Sequence, residues 1–183
     1  MMTKKEIRKQ VLAERRNLDE ESAILASQVI CRKVMGLPAY EEAENICLYV
    51  PVNNEVDVML LADAAESAGK KVWLPKVNGE DMDFRAYEGE DRLEEGAYHI
   101  PEPVSDEILE DFANALVIMP GAVFTPERDR IGYGGGYYDR FLEGAEGCTT
   151  VAVCYAFQIV DEIPVEEHDI RPDFLVSDIS IFG

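Results

Sequence analysis

The chain has 183 residues, 47% of them hydrophobic and 30% charged, with a formal net charge of −20 at pH 7. That charge argues against a nucleic-acid partner, whose phosphates demand a basic surface that displaces counterions. No apolar stretch reaches the roughly 20 residues that cross a bilayer, and MMTKKEIRKQ reads as a helix start, not a secretory leader. The expectation is a cytoplasmic, monomeric protein with a single domain over residues 1–183 and no membrane or nucleic-acid partner. An acidic surplus does not argue against phosphate ligands, because charge is screened over about 8 Å and the nearest groups decide a site. Cys31, Cys47, Cys148 and Cys154 form no CxxC pair and read as buried or incidental thiols.

Thr3-Lys-Lys-Glu6 has the form of a capping box, followed by an apolar face at Ile7, Val11 and Leu12. Lys4, Arg8 and Arg15 lie along another side of this helix, where composition alone suggests a solvated face. A second helix is expected from about Asp19 to Val34, ending before Gly36 and Pro38. The period then changes. Asn45–Val50 reads as a buried strand stopped by Pro51, Val56–Ala68 as a helix, and Lys71–Leu74 as a strand closed by Pro75. Met82–Tyr87 alternates like a strand, whereas Glu88–Pro103 is rich in Gly, Pro and charge and is expected to hold little regular structure. Ala115–Met119 and Thr150–Ala156 are apolar strands, Tyr137–Leu142 a short helix, and Phe174–Phe182 a closing strand. Alternating strands and helices imply a largely parallel, mixed sheet covered on both faces. The expected fold is a Rossmann-like, three-layer α/β/α arrangement with an N-terminal helical pair. Its ligand belongs beyond the carboxyl ends of the strands, at Val50-Pro51, Leu74-Pro75 and Met119-Pro120.

Three segments carry chemistry. The first follows Met119: PGAVFTPERDRIGYGGGYYDRF, with Gly132, Gly134, Gly135 and Gly136 ahead of a helix. Glycines admit a phosphate close to the backbone, and successive N–H groups form an anion-binding concavity. Arg128, Arg130 and Arg140 supply cations there, and Asp139 is a candidate magnesium ligand. The run is neither a P-loop nor a dinucleotide fingerprint, and taken alone it is also compatible with a flexible turn. The second segment, YVPVNNEVD, offers Glu55 or Asp57 to an amino-substituted heterocycle, although either also suits a helix N-terminus. The third, QIVDEIPVEEHDIRPD, contains His168, Asp169 and Asp173, with no triad and no histidine-rich metal set.

KKEIR, YVPVNNEVD, LPKV, PGAVF, RIGYGGGYYDRFL and HDIRPD occur in the order found in the 5-formyltetrahydrofolate cyclo-ligases, and the resemblance spans nearly the whole chain. GYGGGYYDR after PGAVF is the specific part. The resemblance implies an enzyme that uses ATP and magnesium to convert 5-formyltetrahydrofolate to 5,10-methenyltetrahydrofolate. The formyl oxygen is phosphorylated, N10 closes the ring, and ADP and phosphate leave. It implies nucleotide contacts from Lys4, Lys5, Arg8 and the run Arg130, Gly132, Tyr133, Gly134, Gly135, Gly136, Tyr137 and Tyr138. Folate contacts are implied for Arg8, Val52, Glu55, Asp57 and Tyr133 through Tyr137, magnesium ligation for Asp139 and Asp173, and catalytic roles for Arg130 and Tyr137. Gly135 stands where some members carry lysine, which shifts weight onto Lys4, Arg8 and Arg130. A noncatalytic folate-binding protein is the alternative, and the retained arginines, Asp139 and Asp173 argue against it.

Overall fold

A computed structural model of the chain describes residues 2–166 and 169–183. Helix α1 (Lys4–Arg16) opens on the expected capping box, with the Thr3 hydroxyl accepting from the Glu6 N–H and the Glu6 carboxylate accepting from the Thr3 N–H. Helix α2 (Glu20–Met35) is capped by Asp19, which accepts the Ser22 N–H at 2.9 Å. The chain continues as α3 (Pro38–Glu42), β1 (Asn45–Cys47), α4 (Leu60–Ser67), β2 (Lys71–Asn78) and β3 (Asp81–Ala86). Next come β4 (Leu93–Glu95), β5 (Pro101–Pro103), β6 (Ala115–Met119), β7 (Val123–Phe124) and β8 (Arg130–Ile131). Helix α5 (Tyr137–Gly144), β9 (Thr149–Cys154), β10 (Phe174–Ser177) and β11 (Ile181–Phe182) complete it.

Seven strands form one sheet in the order β11-β10-β9-β6-β1-β2-β3. The inner five are parallel, and β3 and β11 run antiparallel at the edges. Ile30 and Val34 of α2 and Leu61 and Ala65 of α4 bury one face, against Ile46, Ile118 and Val153. Phe141 and Leu142 of α5 cover the other, against Val117, Met119 and Leu175. Burial on both faces explains why β6 reads ALVIM with every residue buried. Helix α1 belongs to neither layer. It packs Val11 on Ala122, Val123 and Ile131, residues that follow the carboxyl end of β6. From β1 the chain moves outward to β2, and β6 returns on the other side of β1. Such a reversal opens a crevice at the strand ends, and α1 lies over it. No helix among the described residues is long and apolar enough to cross a membrane.

Four expectations are revised. Pro75 does not close β2, which runs to Asn78. Trp73 and Val77 turn their backbone groups away from β3, toward Leu48 and Glu102, and Pro75 shares that side beyond the end of β1, where no ladder partner is lost. Helix α4 starts at Leu60, because the Ser27 hydroxyl takes the Asp57 N–H at 2.9 Å and docks the preceding segment on α2. The acidic excursion contains the β4–β5 hairpin, anchored by the buried Glu102, which accepts the Val77 and Ala97 N–H groups at 3.2 Å each. A Cβ on Gly96 would lie 2.1 Å from the Glu102 carboxyl carbon, so this contact requires glycine. The closing strand is an antiparallel pair, β10 and β11.

Phe84 is fully buried, with its ring 5.0 Å from Phe141 at 64°, and so fastens α5 to the edge hairpin. Phe84→Ala should cost about 3–5 kcal/mol, measured as a lower urea midpoint with an unchanged slope.

Candidate active site

The crevice is a cleft of about 820 Å³ between α1, the turn after β1, the glycine run and the β4–β5 hairpin. One end is cationic. Arg8 donates from Nη1 to the Gly132 carbonyl at 3.1 Å, and its guanidinium lies 3.3 Å from where a Cβ on Gly134 would stand. Gly134 and Gly136 have φ of +101° and +67°, conformations that glycine adopts without strain. Arg130 is buried beneath the run and donates to Asp139 Oδ1 at 2.8 Å and to the Pro120 carbonyl at 3.3 Å. Its Nε has no partner among the described residues, an uncommitted donor of the kind a phosphate oxygen satisfies.

The other end is built on Glu55. Its Oε2 accepts the Val52 N–H at 2.9 Å, its Oε1 accepts the Tyr133 hydroxyl, and Arg15 Nη1 stands 4.0 Å away. Burial raises the Glu55 carboxyl above its ordinary range, and the bonds from Tyr133 and Val52 and the charge of Arg15 oppose that rise. The Tyr133 oxygen also lies 3.2 Å from the Gly121 carbonyl, a second acceptor for its single proton, and accepts from Arg15 Nη1 at 2.6 Å. Burial, then the neighbouring Glu55, pushes its hydroxyl upward, so it acts as a neutral donor. Along the mouth, Tyr98 of the hairpin meets Tyr137, hydroxyl to hydroxyl at 2.9 Å and edge to face.

Glu166 and Asp169 of the third sequence segment line the far wall as part of a strap. Lys4 Nζ contacts Asp169 at 2.6 Å and Glu166 at 3.4 Å. Burial works to lower the Lys4 ammonium, but the two carboxylates outweigh it and the net direction is upward. The Ile170 N–H reaches Asp139, Arg171 pairs with Asp129, and the Pro172 carbonyl accepts from Arg128.

The profile of the 5-formyltetrahydrofolate cyclo-ligase family matches residues 1–177. The chain belongs to this family. The cyclo-ligase of Escherichia coli strain K12 is 30% identical over 163 residues, 85% of this chain and 90% of that protein. The solution structure of the Aquifex aeolicus 5,10-methenyltetrahydrofolate synthetase superposes with a TM-score of 0.88 at 33% identity, covering 99% of this chain and 92% of that one. The Mycoplasma pneumoniae synthetase, at 24% identity and a TM-score of 0.79, shares the fold.

The cyclo-ligase cleft gathers most of the residues singled out from the sequence. Lys4, Arg8, Val52, Glu55, Arg130, Gly132, Tyr133, Gly134, Gly135, Gly136, Tyr137, Tyr138 and Asp139 all line it. Lys5 does not, because it projects from the exposed side of α1. Asp57 is also outside. It is exposed and caps the turn before α4 through the Met59 N–H at 3.1 Å, so of the two carboxylates only Glu55 faces the cleft. His168 lies outside the described residues.

The expected metal pair is not brought together. Asp139 borders the cleft and is engaged by Arg130, whereas Asp173 precedes β10 at the amino end of the sheet. There Asp173 Oδ2 accepts both the Thr150 N–H and hydroxyl at 2.8 Å. Among the described residues, no three His, Cys, Asp or Glu side chains gather to hold an ion. Asp139 and Asp173 therefore do not fit a shared magnesium ion in this arrangement.

Arg15, Tyr98 and His99 also line the cleft and were not singled out. Arg15 follows Arg8 by two helical turns, a spacing that signals the shared face. Tyr98 and His99 hold φ of 58° and 60°, which sequence does not announce. Cys31, Cys47 and Cys154 are buried in the core, and burial pushes the Cys31 thiol up to about 12.

Asp173→Asn should keep the magnesium dependence of turnover while losing about 1–3 kcal/mol of stability. Asp139→Asn, which strips Arg130 of its counter-ion, should lower kcat by at least about tenfold. Initial rates over a magnesium series, with denaturation curves, test both.

Proposed function

We infer that the chain is an ATP-dependent cyclo-ligase that converts 5-formyltetrahydrofolate to 5,10-methenyltetrahydrofolate, with ADP and phosphate as coproducts. One observation carries the reading: a single cleft joins a cationic, glycine-lined end to an end built on a buried carboxylate.

The chemistry needs both ends in one chamber. An amide oxygen is a weak nucleophile, and an oxygen leaving as hydroxide is a poor leaving group. Transfer of the γ-phosphoryl group from ATP to the formyl oxygen converts that oxygen into part of a phosphate ester. N10 then attacks the formyl carbon and gives up its proton, the five-membered ring closes, and the C–O bond breaks with its electron pair leaving on phosphate, which can take up that proton. No protein nucleophile is required. The enzyme has to align the formyl oxygen with phosphorus and neutralise charge on the transferring group.

Arg130, Arg8 and the N–H groups of Gly132 to Gly136 are proposed to hold the phosphates. Arg130, fixed through Asp139 and Pro120, is positioned before substrate arrives, so little reorganisation accompanies transfer. Lys4 joins them when its carboxylate partners on the strap release it. Glu55 and the Val52 backbone are proposed to take the pterin end, since a buried carboxylate matches the N–H donors of an aminopyrimidine ring. Tyr137, bridged to Tyr98, closes the mouth and limits hydrolysis of the phosphorylated intermediate. Magnesium is proposed to enter with the nucleotide, and Asp139 is the carboxylate of the expected pair that borders the phosphate end. A monomeric state is proposed for the enzyme.

Incubation with ATP, magnesium and 5-formyltetrahydrofolate should yield the methenyl chromophore and ADP in equal amounts. Folate binding without either product would leave a noncatalytic folate-binding protein. Arg8→Ala should raise KM for both substrates by about tenfold, and an unchanged pair would return Arg8 to a purely structural contact.

A further inference from the structure

The folate end contains a unit that the reaction itself does not require. Arg15, 3% exposed, lies two turns along α1 from Arg8 and makes three connections. Its Nε donates to the Asn53 carbonyl at 3.1 Å, its Nη1 donates to the Tyr133 hydroxyl at 2.6 Å, and it faces Glu55 at 4.0 Å. Its guanidinium also stands over the Tyr133 ring, 5.5 Å from the centroid. The turn that delivers Glu55 is tied back in return, because the Asn54 side chain donates to the carbonyls of Arg15 and Leu18 at 3.2 and 2.8 Å. Asn53 and Asn54 both adopt left-handed conformations, with φ of 52° and 60°, so the turn relies on these ties to keep its shape.

Tyr133 adds a second feature. Nearly half of its surface is exposed, yet its hydroxyl points inward and occupies Glu55 Oε1, the oxygen nearest Arg15. Glu55 Oε2 is already committed to the Val52 N–H. Each oxygen keeps a second acceptor site, but the Glu55 side chain is only 6% exposed, so a heterocycle reaches it by displacing the tyrosine hydroxyl that covers it. When it does, Arg15 is the cation that remains beside the carboxylate.

Building on the cyclo-ligase reading, we propose that Arg15 is a positioning residue for the folate end. It holds the Asn53–Glu55 turn and the Glu55 carboxylate in place, while the Tyr133 hydroxyl is a place-holder that the pterin N–H donors displace. Because Tyr133 belongs to the glycine run, this displacement also frees the run at the moment folate enters. The folate end thereby signals its occupancy to the phosphate end.

The unit predicts a pH signature. The groups facing Glu55 are Arg15 from α1, Tyr133 from the glycine run, Tyr49 beyond β1, Tyr155 beyond β9 and Tyr138 from α5. Among these only Arg15 is a cation. Burial raises Glu55 and Arg15 opposes the rise, so removing Arg15 moves the carboxyl further up. Folate binding by the carboxylate then fades at a higher pH as the solution is acidified.

The test uses the full chain and binding of 5-formyltetrahydrofolate by titration calorimetry without nucleotide, at several pH values from about 5.5 to 8.5, with turnover measured separately. Tyr133→Phe should tighten folate binding by about threefold, since it removes the competing donor. Arg15→Met should weaken it by at least about tenfold at neutral pH and move the acid limb upward, and Arg15→Lys should restore part of both. KM for ATP should change by less than folate affinity does in Arg15→Met, because Arg8 and Arg130 still hold the glycine run. Two results would overturn the proposal. One is weaker folate binding in Tyr133→Phe, which makes the hydroxyl a ligand. The other is an unmoved acid limb in Arg15→Met with both substrates equally affected, which reduces Arg15 to packing. Wild-type protein that binds folate without turnover would contradict the cyclo-ligase reading and leave the binding comparison intact.

Discussion

Two arginines on one face of α1 hold the glycine run where it is. Arg8 bonds the Gly132 carbonyl and Arg15 bonds the Tyr133 hydroxyl, two helical turns apart. Glycines that admit a phosphate also deprive the run of side-chain packing, so its shape has to be imposed from outside. α1 does this from above and Arg130 from below, through Pro120 and Asp139. The apolar contact of Val11 with Ala122, Val123 and Ile131 sets the register of that clamp. The capping box at Thr3 fixes where the helix begins, and thereby which residues it presents.

The clamp also reconciles a net charge of −20 with a polyanionic ligand. Lys4, Arg8, Arg15 and Arg130 all line one cleft, and the charge close to a ligand decides its binding more than the total does. In the ligand-free arrangement each of these cations has a protein oxygen as partner: Asp169, Gly132, Tyr133 and Asp139. Glu166, Asp169 and Arg171 serve the same economy, the first two as counter-ions to Lys4 and the third as partner to Asp129.

Much of the fold was legible because periodicity reports burial. Apolar runs at β1, β6 and β9 marked the centre of the sheet, and Thr3, Asp19 and Gly36 marked helix ends. The errors lie where a single tertiary contact overrides local preference. Pro75 sits inside a strand because its missing N–H faces a gap beyond β1. The Glu88–Pro103 excursion is structured because one of its acidic residues, Glu102, is buried and bonded. At the site, the glycine run, Arg8 and Arg130 were legible from motif, and Glu55 only as one of a pair with Asp57. Lys5 and Asp57 were not separable from their neighbours, since the side of α1 and the start of α4 are fixed by packing. Asp173 was misplaced for a topological reason, as a residue just ahead of β10 stands at the wrong end of a parallel sheet for a cleft at the carboxyl ends.

The central claim is that the glycine run under α1 is where nucleotide and folate meet. A crystal structure with 5-formyltetrahydrofolate and a non-hydrolysable ATP analogue tests it most directly. The account predicts the γ-phosphate against the Gly132–Gly136 backbone within reach of Arg8 and Arg130, the pterin on Glu55, and the Tyr133 hydroxyl withdrawn from that carboxylate. Phosphates bound away from the run, or a pterin seated with the Tyr133–Glu55 bond intact, would contradict it.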